Sequence, residues 1–152
     1  MTTNVQHDIK VLNGLIETTL DSAYGYGDAA KDAKNPSFKS LFERRSMQRK
    51  QLTADLQAQV RTLGGKPEDD GTVLAAAHRV FMNLKNSVTG DDQSVINEVE
   101  RGEDHIKAKF EEALKDSAVS APVKEAITTA YVLVKADHDQ MRDLKHEMKR
   151  AS

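Results

Sequence analysis

Apolar residues recur at helical spacing through five stretches of the chain. The first, about Asn4 to Ala33, places Ile9, Leu12, Ile16, Leu20 and Ala23 on one face, with Thr19 at its edge. Gly25 and Gly27 fall inside it, but Ala29, Ala30 and Ala33 resume helix-forming sequence, which predicts a continuous helix. The second stretch, about Pro36 to Leu63, has the stripe Phe38, Phe42, Arg45, Arg49, Leu52, Leu56, Val60 and Leu63. Proline favours its first turn, and Gly64-Gly65-Lys66-Pro67 stops it. A shorter stretch, about Thr72 to Val88, aligns Leu74, Ala77, Phe81, Leu84 and Val88. The fourth, about Asp92 to Lys115, aligns Val99, Glu103, Ile106 and Phe110, with Asp92 offered as its N-cap. The last runs from about Pro122 to Lys149 on Val123, Ile127, Ala130, Val134, His138, Met141, Leu144 and Met148.

The links Lys34-Asn35 and Asp116 to Ala121 are short, so the helices they join are antiparallel neighbours. The shorter helix, roughly 25 Å long at 1.5 Å per residue, carries the chain back along the bundle. The predicted fold is all-α: a four-helix bundle of two antiparallel hairpins, with a long crossover containing a fifth, shorter helix. The second and fourth stretches should then run parallel. With 152 residues, one domain over 1–152 is expected.

Composition agrees with this class: 30% charged, 38% hydrophobic and 5% aromatic residues. A net charge of −2 is too small to steer nucleic acid or an anionic membrane. The basic end (Arg142, Lys145, Lys149, Arg150) is interleaved with acids and reads as a charge-favoured helix terminus. Without cysteine, disulfides and thiolate chemistry are excluded. No signal peptide or bilayer-length apolar run is visible, so a cytoplasmic protein is expected.

The chemistry lies where the stripes are broken. Glu103 interrupts the fourth stretch beside Gly102, His138 the last, and Arg45 and Arg49 the second, with Gln48 between them. Counting outward from each turn brings these interruptions to one height. Gln48 and Arg49 fall near Asp21, Ser22 and Tyr24, and Glu103 falls within about a turn of His138. The expected middle layer is Asp21 or Tyr24, then Arg45, Gln48, Arg49, Glu103 and His138, with Gly25 and Gly102 leaving room.

Di-iron carboxylate bundles hold metal at such a layer, with Glu from two helices and Glu-x-x-His from the other two. This chain has no Glu-x-x-His: the corresponding places read Glu43-Arg44-Arg45-Ser46 and Lys135-Ala136-Asp137-His138. Arginine cannot shed its proton. At about 6 Å it would repel a divalent ion by roughly 5 kcal/mol with an effective dielectric of about 20. A cation already in the layer is the simpler partner for Glu103. The candidates for a metal site are Glu17, Glu43, Glu103 and His138.

Leu12-Asn13-Gly14-Leu15-Ile16-Glu17, Asp21 with Gly25-Tyr26, Phe42-Glu43-Arg44 with Gln48-Arg49, and Leu63 to Pro67 form an ordered set. His78-Arg79, Glu98 to Asp104 and His138-Asp139 continue it. On these residues nearly the whole chain resembles a bacterial ferritin-like family of unknown function within the ferritin-like superfamily. The resemblance implies the bundle with its long crossover, and a role linked to stress or metal handling without an established activity.

Of the remaining candidates, Asp104-His105 is expected to point away from Glu103 with His105 at the surface. His7 and His146 are expected in solvent, His78 packed on the crossover helix, and Tyr24 and Tyr26 in amphipathic packing. There is no nucleophile triad, phosphate-binding glycine loop or basic-aromatic surface. The expected function is a non-catalytic bundle, structural or stress-related, with no resident cofactor and self-association as a homodimer through Val80 and Met82. The alternative is a divergent di-iron oxidase or iron-binding protein using Glu103 and His138 with Glu17, Asp21 or Glu43.

Overall fold

The computed structural model describes residues 2–69 and 91–151. Four helices account for nearly all of them: α1 (Thr2–Asp32), α2 (Pro36–Thr62), α3 (Asp92–Leu114) and α4 (Ala121–Ala151). No strand occurs among the described residues. The fifth helix expected over Thr72 to Val88, including His78, Val80 and Met82, lies outside them.

Local chemistry sets each boundary. α1 continues through Gly25 and Gly27. Asn35 caps α2 by accepting from the Ser37 N–H at 2.8 Å, and Pro36 fills the first turn, where no N–H partner is lost. The α2 terminus closes through Gly64, whose φ of 83° lies in the left-handed region that glycine adopts without a Cβ clash. The Asn13 side chain then holds the outgoing strand of chain, donating to the Lys66 carbonyl and accepting from the Glu68 N–H.

The cap of α3 differs from expectation. Asp91, in extended geometry, accepts from the Ser94 N–H at 2.8 Å. Asp92 is the first helical residue, and its carboxylate accepts instead from the Lys34 and Asn35 N–H groups beyond α1. One aspartate starts the helix while the next ties it to the first hairpin's turn. At the opposite end, Asp8 accepts from the Ser120 N–H, and His7 meets Asp116 at 2.7 Å. His7 thus pairs with a carboxylate at the surface; His146 is exposed.

The α1–α2 and α3–α4 hairpins pack side by side, with α1 also against α3. One apolar cluster gathers Leu12 and Ile16 of α1, Leu52 and Leu56 of α2, Ile106 and Phe110 of α3, and Ile127 and Val134 of α4. A second gathers Tyr26 and Ala30, Phe42, Val95 and Val99, and Met141. The second cluster joins the lower-numbered part of α2 to the lower-numbered part of α3, and the first joins their higher-numbered parts, so the two helices run parallel, as register counting predicts. Each fully buried leucine, isoleucine or phenylalanine contributes about 1.5–3 kcal/mol relative to exposure.

Two glycines provide opposite tests. A Cβ on Gly65 would lie 2.7 Å from Ile9 Cδ1 and 3.0 Å from two further Ile9 carbons, whereas Gly14 in α1 has nothing within 4 Å. Urea unfolding is expected to show Gly65→Ala destabilised by about 1–3 kcal/mol through overpacking. Gly14→Ala should be stabilised by up to about 1 kcal/mol through helix propensity. Equal effects at both positions would contradict this packing.

Candidate functional site: a buried polar layer

Between the two apolar clusters the core turns polar. Glu103 is fully buried and Arg49 is 1% exposed. Arg49 Nη2 donates to Glu103 Oε2 at 2.9 Å. Nη1 lies 2.8 Å from Oε1, an ion-pair contact without a well-directed hydrogen bond. The same guanidinium donates to Ser22 Oγ of α1 at 2.6 Å and to Asp137 Oδ2 of α4 at 3.2 Å. From α2, Arg49 therefore reaches all three other described helices.

Arg45, one turn away, widens the layer. Its Nη1 donates to the Tyr26 hydroxyl at 3.4 Å, its Nη2 to the Gln140 side chain, and its Nε to Gln48 at 3.1 Å. Asp137 Oδ1 lies 3.4 Å from Nη2. Two arginines thus face two carboxylates, Glu103 and Asp137, which balances formal charge in a place where an unpaired ion would be costly. The Tyr26 ring lies beneath both guanidinium carbons, 5.6 Å from that of Arg45 and 5.5 Å from that of Arg49. Ser46 adds a bond to the Ala23 carbonyl at 2.7 Å, joining the same two helices.

These surroundings move proton affinities. Burial pushes the Tyr26 hydroxyl well above 10.0; the Glu103 charge adds to this, and Arg49 and Arg45 oppose it. Burial alone would lower the Arg49 value, but Glu103, Tyr26 and Asp137 together hold it above the ordinary arginine range.

The layer collects some of the expected residues and not others. Arg45, Arg49 and Glu103 are its centre, and Gln48 touches it from an exposed position. Tyr24 lies outside: it packs on Leu20 and Ala23 with Lys50 over its ring, and Tyr26 takes the inward place. A step of two residues turns a helical side chain by about 200°, so choosing between these tyrosines depends on the exact register. Asp21 is buried but lines a groove between α1 and α3, with Glu17, Lys10, His105 and Lys109. Glu43 is exposed on α2.

His138 also leaves the expected layer. Its Nε2 meets Asp104 Oδ1 at 2.7 Å and its Nδ1 meets Asp139 Oδ1 at 3.0 Å. Asp104, expected to point away from Glu103, is exposed and is a direct partner of His138. Asp137, one residue earlier, faces Arg49 instead. Sequence reasoning missed Asp137, Gln140 and the role of Tyr26. Two arginines in an apolar stripe against one glutamate already called for a second carboxylate, and Asp137 was the available one.

The sequence profile described as "Domain of unknown function (DUF2383)" matches residues 7–116. None of the curated proteins compared with the chain matches it. Among solved structures, a mutant of Dps1 from Mycobacterium smegmatis superposes with a TM-score of 0.82 at 8% identity, covering 95% of this chain and 99% of that one. A dodecameric thioferritin, the bacterioferritin-related protein from Bacteroides fragilis, gives 0.79 at 13%, covering 97% and 89%. A ferritin-like, diiron-carboxylate protein from Bacillus anthracis gives 0.62 at 17%, covering 99% of both. At such identities the likeness establishes the ferritin-like fold and leaves the chemistry to the residues themselves.

The layer has a pH signature. A folded-state value above the unfolded one gives stability that is complete below about pH 10 and lost as pH rises toward the folded value. Tyr131, raised by its hydrogen bond to Glu111, and Lys107, raised by its bond to the same carboxylate, act in the same direction. Urea midpoints measured from about pH 8 to 11 are expected to fall with pH. Tyr26→Phe should flatten that slope without abolishing it. An unchanged slope would show that Tyr26 ionises as freely folded as unfolded.

Proposed function

The chain belongs to the family defined by the domain of unknown function DUF2383, and on that premise we propose a non-catalytic role for it. The centre of this ferritin-like bundle is a structural polar layer in place of a metal centre, and the protein acts as a structural or stress-related interaction module. One observation carries the reading: the Arg49 guanidinium spans both oxygens of Glu103, at 2.8 and 2.9 Å.

That guanidinium holds its charge at every accessible pH. A divalent ion brought to Glu103 would have to displace or tolerate it. The other carboxylates suggested for a metal site are placed elsewhere, Glu17 in the α1–α3 groove and Glu43 at the surface. His138 is held between Asp104 and Asp139. A ferritin-like di-iron centre does not fit these residues.

The layer's role in this reading is specificity of assembly. Replacing a buried ion pair with apolar residues is often neutral, but removing one partner strands the other and costs about 3–5 kcal/mol. Arg49, bonded to α1, α3 and α4, selects one register in which all four helices satisfy it. The rival reading, a divergent di-iron oxidase or iron-binding protein, draws on the fold likeness to the ferritin-like proteins named above.

Ferrous loading followed by air exposure separates the two readings, with elemental analysis and ultraviolet-visible spectra as readouts. The expected result is no oxo-bridged ferric absorption, and no iron whose retention depends on Glu103. Stoichiometric iron that gives this absorption and is lost in Glu103→Gln would establish the rival.

A further inference from the structure

Outside the layer, α3 and α4 bring together a second polar group. Glu100 and Asp104 are one turn apart on α3 and face His138 of α4, and one ligand atom from each lies within 4.8 Å of the others. Glu100 and His138 are each 8% exposed, whereas Asp104 opens to solvent. Lys145 reaches Glu100 Oε1 at 3.0 Å.

The His138 ring is oriented from behind. Asp139 Oδ1 sits 3.0 Å from Nδ1, and Asp139 is itself held by Lys135 at 2.9 Å. Both ring nitrogens face carboxylates, and the tautomer with its proton on Nδ1 toward Asp139 is the one that leaves the Nε2 lone pair free to ligate a metal. This is the outer-shell arrangement that accompanies metal-ligating histidines. In that tautomer, Nε2 and Asp104 Oδ1 both present lone pairs across 2.7 Å. Two acceptors at that distance need a positive centre between them, either a proton or a metal ion.

We propose that Glu100, Asp104 and His138 form a binding site for a single divalent transition-metal ion, separate from the Arg49–Glu103 layer. One imidazole nitrogen and two carboxylate oxygens suit zinc, manganese or ferrous ions, and the absence of thiolate disfavours softer ones. The helical spacing of Glu100 and Asp104 presents both carboxylates to the same point beside α4. The exposed side of Asp104 supplies the entry path and room for water ligands.

Lys145 is the built-in competitor. Without metal its ammonium neutralises Glu100, and His138 Nε2 stays in direct contact with Asp104. Metal entry replaces that contact and frees Glu100 from Lys145, whose side chain is 28% exposed and can turn into solvent. Asp139 is a positioning residue: it aims the ring and contributes no ligand.

Zinc titration of the metal-free full chain by calorimetry tests the site, with circular dichroism confirming that each variant folds. One zinc per chain is expected. Asp104→Asn and His138→Gln should each weaken binding at least tenfold, and Asp139→Asn about tenfold, the usual outer-shell loss. Lys145→Met should tighten binding severalfold, a gain that a merely structural lysine would not give. Asp104 is exposed, so its variant keeps the test decisive if His138→Gln fails to fold. No saturable zinc binding, unchanged affinity in Asp104→Asn, or weaker binding in Lys145→Met would overturn the proposal.

Discussion

The structure turns on one guanidinium held in the middle of an apolar assembly. Arg49 is almost wholly buried, carries a permanent charge, and finds its partners on three different helices. An isolated ion in such a place would cost far more than the marginal stability of a small domain. Glu103 cancels the charge directly, while Asp137, Ser22 and the Tyr26 ring complete its surroundings. The apolar clusters above and below could tolerate small shifts along the helix axes. A charge bonded on three sides tolerates far less.

This constraint explains features that otherwise look like defects. Glycine in mid-helix beside Glu103 and arginines in an apolar stripe both weaken a helix judged alone. Placed at one height, they become parts of a single charge-balanced slab, with two cations against two carboxylates. Where ferritin-like bundles use a central layer for metal, this one has cations already seated. A separate carboxylate–histidine cluster lies between α3 and α4 and opens to water through Asp104.

Much of this was legible from the sequence. Periodicity and turn chemistry located the four described helices to within a few residues, and counting from the turns placed Arg45, Arg49 and Glu103 together. What counting could not supply was the rotation of each helix. An error of one or two residues in register exchanges Tyr24 for Tyr26, or His138 for Asp137, because neighbouring residues on a helix are about 100° apart. That rotational ambiguity sent His138 into the layer on paper, when its partners are Asp104 and Asp139. The order of Asp91 and Asp92 at the start of α3 was equally hidden. Both are good caps, and the choice rests on Asp92 reaching the Lys34 and Asn35 N–H groups of the first hairpin.

A double-mutant cycle on Arg49→Met and Glu103→Leu, run by chemical denaturation with chelator present, measures the central pair directly. If the guanidinium neutralises the buried carboxylate, each single change is expected to cost about 3–5 kcal/mol. The double variant should recover much of that loss, with a coupling of at least about 2 kcal/mol. Additive single effects with no coupling would mean that Arg49 and Glu103 do not depend on one another, and the account would fail at its centre.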